Sequence, residues 1–299
     1  MSLDIRGCGT ALVTPFSEDG TLDVDALRSL VEFQLSEGID FLVPCGTTGE
    51  APTLEHEEYM GVVRVVTQEA KGKVPVIAGA GGNNTKKVCS LVQDLQALKV
   101  QGILSVAPYY SKPTQEGLYQ HFKTIADSTD LPVILYNVPS RTSSNILPET
   151  VARLAGISNI IGIKEASGSI TQQMEVLRLV PPNFTVLSGD DAFTFPLMAL
   201  GGAGVISVVS NEIPRQMTKL ARLLLDGNYD EARKLNVKLL PLMQANFIET
   251  NPIPVKAALA MMGKIKEIYR LPMCPINPEN RARLEKVLAE QGLLQTQKV

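Results

Sequence analysis

The chain has 299 residues, a formal net charge of -3 and a pI of about 5.6, so no basic surface calls for a nucleic-acid partner. Hydrophobic residues make up 44% and charged residues 20%, the balance of an ordinary globular chain long enough to bury a large core. No apolar run reaches the roughly 18–20 residues that span a bilayer, MSLDIRG lacks the pattern of a signal peptide, and the scattered Cys8, Cys45, Cys89 and Cys274 have neither zinc-ligand nor redox spacing, so a reduced cytoplasmic protein without membrane or metal is expected.

From the N-terminus the chain keeps one rhythm: a short apolar run, then a longer amphipathic stretch. TALVTPF (10–16) reads as the first strand, and VDALRSLVEFQLSEG (24–38) follows with Leu27, Leu30, Val31 and Leu35 at helical spacing and Gly38 as a stop. FLVPCG (41–46) precedes the helical HEEYMGVVRVVTQEA (56–70). Strand-like runs recur at PVIAGAG (75–81), GILSVAPYY (102–110), PVILYNV (132–138), IIGIKEA (160–166), FTVLSG (184–189) and GVISVVS (204–210). Continuous apolar runs mark strands buried on both faces, as in parallel sheets. Eight such units at about 25–30 residues each, with no domain break, predict a (β/α)8 TIM barrel over 1–225 rather than an open doubly wound sheet. Strand runs then stop, and helical patterns at 228–247, 252–262 and 278–291 predict a C-terminal helical appendage over 226–299.

In such barrels the chemistry sits at the C-terminal strand ends and the loops that follow. That rule selects Gly46-Thr47-Thr48-Gly49-Glu50, Tyr109-Tyr110, Tyr136 with Arg141 beyond it, Lys164-Glu165 and Asp190-Asp191. Lys164 is out of place in an apolar strand, because burying an ammonium ion is costly. It is either a strand-end lysine paired with Glu165 or a nucleophilic amine, whose pKa desolvation would lower from about 10.4. Tyr110 and Tyr136 are either amphipathic plugs or, with Thr47, a hydroxyl chain that moves protons. The GTTGE segment is a tight turn or a nest of N–H groups for a carboxylate. Arg141 is a surface arginine or a bidentate carboxylate clamp. Lys256, by contrast, lies in a helical pattern.

Other chemistries fit poorly. Cys45 has no histidine nearby in sequence, and His56 and His121 read as surface or helix residues. Two distant histidines and one Asp190-Asp191 pair are too few ligands for a metal-dependent enzyme. Gly79-Ala80-Gly81-Gly82-Asn83 fails as a dinucleotide motif, since Asn84 occupies the last glycine position. A non-catalytic ligand-binding barrel would have no use for Lys164, Tyr136, Thr47 and Tyr110 together.

GTTGE (46–50), APYY (107–110), YNVPSRT (136–142), GIKEAS (162–167), SGDD (188–191) and TNPIPVKAAL (250–259) together resemble the dihydrodipicolinate synthase and N-acetylneuraminate lyase family over nearly the whole chain. The resemblance implies a Schiff-base aldolase that joins pyruvate to L-aspartate-4-semialdehyde, giving 4-hydroxy-tetrahydrodipicolinate for diaminopimelate and lysine biosynthesis. A sibling activity, sialic-acid or 2-keto-3-deoxy-acid cleavage, would use the same lysine and tyrosine. It implies that Lys164 forms the imine, Tyr136 is the acid and base, and Thr47 and Tyr110 complete a relay, with Tyr110 reaching into a neighbouring subunit. Thr48 and the Ile206 main chain would meet pyruvate, Arg141 the semialdehyde carboxylate, and Gly189 and Asp190 the incoming aldehyde. No cofactor is implied, and a homotetramer built from tight dimers is. Members inhibited by lysine hold it in a cleft matched here by Ala51, Pro52, His56, Tyr59, Asn83, Lys87 and Tyr109. Tyr59 replaces a histidine and Lys87 a glutamate of strongly inhibited bacterial members, so weak or absent inhibition is expected.

Overall fold

Eight short parallel strands carry the apolar runs in the computed structural model, which describes residues 3–294. They are β1 (Gly7–Ala11), β2 (Phe41–Val43), β3 (Ile77–Gly79), β4 (Gly102–Val106), β5 (Val133–Asn137), β6 (Ile160–Glu165), β7 (Thr185–Ser188) and β8 (Gly204–Ser207). The sheet runs β2-β1-β8-β7-β6-β5-β4-β3. Its two ends meet: Leu42 bridges Val76 in parallel and donates its N–H to the Pro75 carbonyl, and Gly79 donates to the Pro44 carbonyl. The sheet therefore curls into the barrel that the sequence rhythm predicts, and closure leaves no open edge.

The helices are α1 (Val24–Ser36), α2 (His56–Ala70), α3 (Thr85–Ala97), α4 (Gln115–Asp127), α5 (Pro139–Thr142), α6 (Pro148–Leu154), α7 (Ile170–Leu179), α8 (Thr194–Ala199), α9 (Pro214–Leu225), α10 (Tyr229–Ala245), α11 (Ile253–Met261) and α12 (Pro278–Glu290). Local chemistry fixes their starts. The Asp23 carboxylate accepts from the Ala26 N–H, and Glu55 and Glu58 form a capping box at α2. Among the described residues no helix is long and apolar enough to cross a membrane.

The first strand is a correction: it runs over Gly7–Ala11, not 10–16. Gly7 and Gly9 hide it, since glycine has little strand propensity. Yet a Cβ on Gly9 would stand 2.0 Å from the Phe41 ring, so the close approach of β1 to β2 requires glycine. Leu12, Val13 and Phe16 are buried after the strand has ended, as the chain folds over the barrel mouth. The same effect shortens β2, β3 and β4: an apolar run records burial, and burial continues into the loops at the mouth.

Alternation along each strand sorts the side chains. Phe41, Val43, Ile77, Leu104, Ile134, Tyr136, Leu187 and Ile206 fill the barrel, while Val133, Leu135 and Ile163 face the surrounding helices. The helices after residue 226 bury Leu239, Leu242, Leu284 and Leu288 in the same cluster as Val205 and Leu220. Helix α11 also reaches the mouth. Lys256, fully buried, sets its ammonium 2.5 Å from Glu50 Oε1 and 4.3 Å from the centre of the Phe16 ring. Burial lowers the Lys256 pKa, and Glu50 opposes that shift.

Removing one member of such a pair strands the other charge in the core, at a cost of about 3–5 kcal/mol. Lys256→Met should therefore lower the urea midpoint by that amount of stability, and adding Glu50→Gln should restore most of it. A single variant within about 1 kcal/mol of the native chain would show that the pair is dispensable.

Candidate active site

The strands deliver two groups to one end of the barrel. Tyr136 and Lys164 are paired across β5 and β6, so their side chains leave the sheet on the same face at the same level. Lys164 is 5% exposed, and its Nζ lies 4.3 Å from the centre of the Tyr136 ring. Its neighbour Glu165 points the opposite way. Glu165 accepts from the Ser167 N–H at 2.6 Å and from Asn137 Nδ2 at 3.0 Å, and burial raises its pKa. The pairing of Lys164 with Glu165 is thus ruled out by strand alternation. The acid that Lys164 acts on is Asp190: burial raises the Asp190 carboxyl, hydrogen bonds from the Ala192 and Phe193 N–H groups oppose that, and the Lys164 charge opposes it further.

The Asp190-Asp191 pair is split. Asp190 accepts the Ala192 N–H beside the mouth. Asp191 is buried, pushed up to about 6 by burial, and holds the Val208 and Val209 N–H groups at 3.0 and 3.1 Å. It anchors the chain just after Ile206, which lies inside the barrel. Gly189 is constrained by Lys164 itself. A Cβ there would lie 2.6 Å from Ala166 Cβ and 3.1 Å from Lys164 Cε.

A cavity of about 400 Å³ opens over this end. Thr47, Tyr136, Arg141, Tyr109, Ala51 and Tyr59 are in its wall. The Gly46–Glu50 segment is a turn, closed by the Gly49 N–H on the Gly46 carbonyl and the Glu50 N–H on the Thr47 carbonyl. Thr48, at the centre of the turn, is buried and is not in the cavity wall. Arg141 stands on α5 rather than in a loop, exposed at the rim. Tyr110 is not in this wall. It is 89% exposed in left-handed backbone (φ 73), beyond the end of β4.

The suspected lysine cleft is divided. Ala51, Pro52, Tyr59 and Tyr109 line the cavity, whereas His56 and Lys87 line a separate surface groove with Lys86 and Asp94. Asn83, just ahead of the α3 cap Asn84, is exposed and in neither wall. The Tyr59 hydroxyl donates to the Gly79 carbonyl, so the phenol is turned into the core. Asn251, Pro252, Pro272 and Met273, all from the C-terminal region, complete the cavity wall. A search confined to strand ends misses these four, although TNPIPVKAAL (250–259) contains the first two. Among the described residues no three His, Cys, Asp or Glu side chains converge as metal ligands.

A closed parallel barrel with an amine packed on a tyrosine at its C-terminal end is the arrangement of the imine-forming barrel enzymes. The chain matches the dihydrodipicolinate synthetase family over residues 4–291, and it belongs to that family. It is 55% identical over 293 residues to the 4-hydroxy-tetrahydrodipicolinate synthase of Koribacter versatilis (strain Ellin345), with 98% of each chain covered. A solved monomeric dihydrodipicolinate synthase variant is similar at TM-score 0.95 and 48% identity, over 97% of both chains. The chloride-inhibited dihydrodipicolinate synthase of Acinetobacter baumannii, complexed with pyruvate, is similar at TM-score 0.96 and 40% identity, over 97% of this chain and 100% of that one.

Gly189→Ala tests how tightly Lys164 is confined. The added methyl must push the lysine stem aside, and small misplacements at reacting groups are costly. Reductive labelling of Lys164 by pyruvate and borohydride should slow at least tenfold, by roughly the weight of such a misplacement, with the circular dichroism unchanged. Labelling at the native rate would show that the lysine yields freely.

Proposed function

We infer that this chain condenses pyruvate with L-aspartate-4-semialdehyde to 4-hydroxy-tetrahydrodipicolinate, a step of diaminopimelate and lysine biosynthesis. The observation that carries the reading is the in-register pair of Lys164 and Tyr136 inside a barrel of this family. Lys164 is the amine that attacks the pyruvate ketone, with loss of water, to form an imine. Tyr136 returns and removes the protons of that step. Loss of a methyl proton gives an enamine, with the iminium as electron sink. The enamine carbon attacks the aldehyde of the second substrate. The amine of that substrate then closes onto the imine carbon and expels Lys164. No organic cofactor or metal is needed, because the lysine supplies the sink.

The remaining roles are those that the family resemblance implies. The Thr48 hydroxyl and the N–H groups of its turn receive the pyruvate carboxylate, and the Ile206 main chain faces the same substrate. Arg141 clamps the semialdehyde carboxylate at the rim, and Gly189 and Asp190 border the aldehyde. Thr47 and Tyr110 join Tyr136 in the proton relay. Tyr110 does so in a second copy of the chain, which its 89% exposure outside its own mouth supports. The assembly we propose is a homotetramer of two tight dimers. The four free cysteines suit a cytoplasmic setting.

Pyruvate and borohydride should add one reduced pyruvyl group per chain, at Lys164 and not at Lys256. Arg141→Ala should leave that labelling intact but impair the condensation by about 2–3 kcal/mol, roughly 30- to 150-fold. Equal loss of labelling would assign Arg141 to the first substrate or to the fold. An enzyme that cleaves sialic acid and ignores the semialdehyde would overturn the substrate assignment.

L-Lysine should inhibit weakly or not at all. By the family match, Lys87 brings a positive charge where inhibited members hold an ammonium group of the ligand, and two like charges about 4 Å apart repel by about 4 kcal/mol at an effective dielectric near 20. Half that repulsion weakens binding about 30-fold. Titration of the forward reaction checks this: half-inhibition below millimolar lysine refutes it, and Lys87→Glu with Tyr59→His should raise sensitivity.

A further inference from the structure

Helix α11 and the residue pair ahead of it are fastened to the middle and the far end of the Gly46–Glu50 turn. Asn251 Nδ2 donates to Thr48 Oγ1 at 3.0 Å, between two side chains that are both buried. Lys256 holds Glu50 Oε1 at 2.5 Å, and the Arg270 N–H reaches Glu50 Oε2 at 3.3 Å. Glu50 is in left-handed backbone (φ 52, ψ 34), a region that a residue with a side chain enters only under constraint. The C-terminal region thus fixes a turn about 200 residues away in sequence.

We propose that Asn251 is a positioning residue for the first substrate: its amide N–H fixes the Thr48 hydroxyl as a donor directed at the substrate carboxylate. The proposal rests on the reading that this turn holds pyruvate. A hydroxyl has one hydrogen and two acceptor sites. With one acceptor site filled by Asn251, the hydrogen remains free, and among the described residues Thr48 Oγ1 has no partner other than Asn251. A carboxylate only accepts hydrogen bonds, so a hydroxyl oriented this way suits it. Donation into the oxygen also polarises the O–H and strengthens the bond it gives. The opposite amide orientation would take the Thr48 hydrogen into Asn251 Oδ1 and leave only lone pairs facing an anion. Oδ1 is instead buried with no partner, while Asn251 itself borders the cavity. An apolar or acceptor-only side chain in its place would lose the orientation without touching Lys164 or Tyr136.

The test is steady-state kinetics on the full-length enzyme carrying Asn251→Ala, and on Asn251→Leu, which keeps the buried volume. Both should raise KM for pyruvate roughly five- to thirtyfold, the weight of one hydrogen bond. At saturating substrates kcat should stay within about threefold of native, well inside the tenfold that 1.4 kcal/mol represents, and KM for the semialdehyde should not change. In a Thr48→Val background neither variant should raise KM for pyruvate further, because the hydroxyl through which Asn251 acts is gone. A fall in kcat with native KM would mean that Asn251 serves only folding, and the proposal fails. The same rise in KM with and without the Thr48 hydroxyl also overturns it. If Thr48→Val raises KM but both Asn251 variants leave it native, the positioning role alone fails. If Thr48→Val leaves KM for pyruvate native, the turn does not hold pyruvate through Thr48, and both readings fail together.

Discussion

Lys164 and Glu165 are adjacent in the chain and point to opposite faces of β6. Had they met, each would have neutralised the other, as Lys256 and Glu50 do 2.5 Å apart in the core. The period of two along a parallel strand prevents it. Glu165 is spent outside the barrel on Asn137, Ser167 and Gln172, which ties β5, β6 and α7 together. Lys164 is left inside against an aromatic face, with Asp190 as the acid that feels its charge. Closure of the sheet makes the separation permanent, since a one-residue slip of β6 would turn every side chain of the strand over. The chemistry of this site therefore rests on strand register more than on any single contact.

Two lysines of the same chain show how context divides one side-chain type. Both are buried, both lie near 4.3 Å from an aromatic ring, and both are brought in by regular elements. Lys256 meets a carboxylate and becomes structural. Lys164 meets none within ion-pair distance among the described residues and packs on the Tyr136 ring, which borders the cavity. The two are linked through the turn at Gly46–Glu50, whose far end Lys256 holds and whose Thr47 shares a cavity wall with Tyr136, the partner of Lys164. A helix that follows the eight barrel units thus takes part in shaping the mouth, which explains why the helical region after residue 226 shares a core with the barrel.

Much was legible in the residues. The recurrence of apolar runs specified eight parallel strands, because only strands buried on both faces dispense with polar alternation. Thr47 after β2, Tyr136 on β5 with Arg141 beyond it, and Lys164 on β6 pointed to one end of the barrel. Strand limits were less legible. The run at 10–16 was apolar because it was buried, not because it was extended, and the true β1 was concealed by two glycines. The division of the residues expected to form a lysine cleft between a cavity and an outer groove was also invisible, since whether neighbours on α2 face inward or outward depends on how the helix is rolled against the barrel.

The sequence by itself determined the architecture and the family and pointed to the candidate reactive groups, because these depend on local periodicity and on residue types in a fixed order. Only the tertiary structure decided the partners. It turned Glu165 away from Lys164, split Asp190 from Asp191, buried the Tyr59 hydroxyl against Gly79, and brought Asn251 and Lys256 onto the turn at Thr48 and Glu50. Those pairings span up to 206 positions. No local pattern encodes them, because contact between distant residues is set by how the whole barrel closes and how the final helices pack on it.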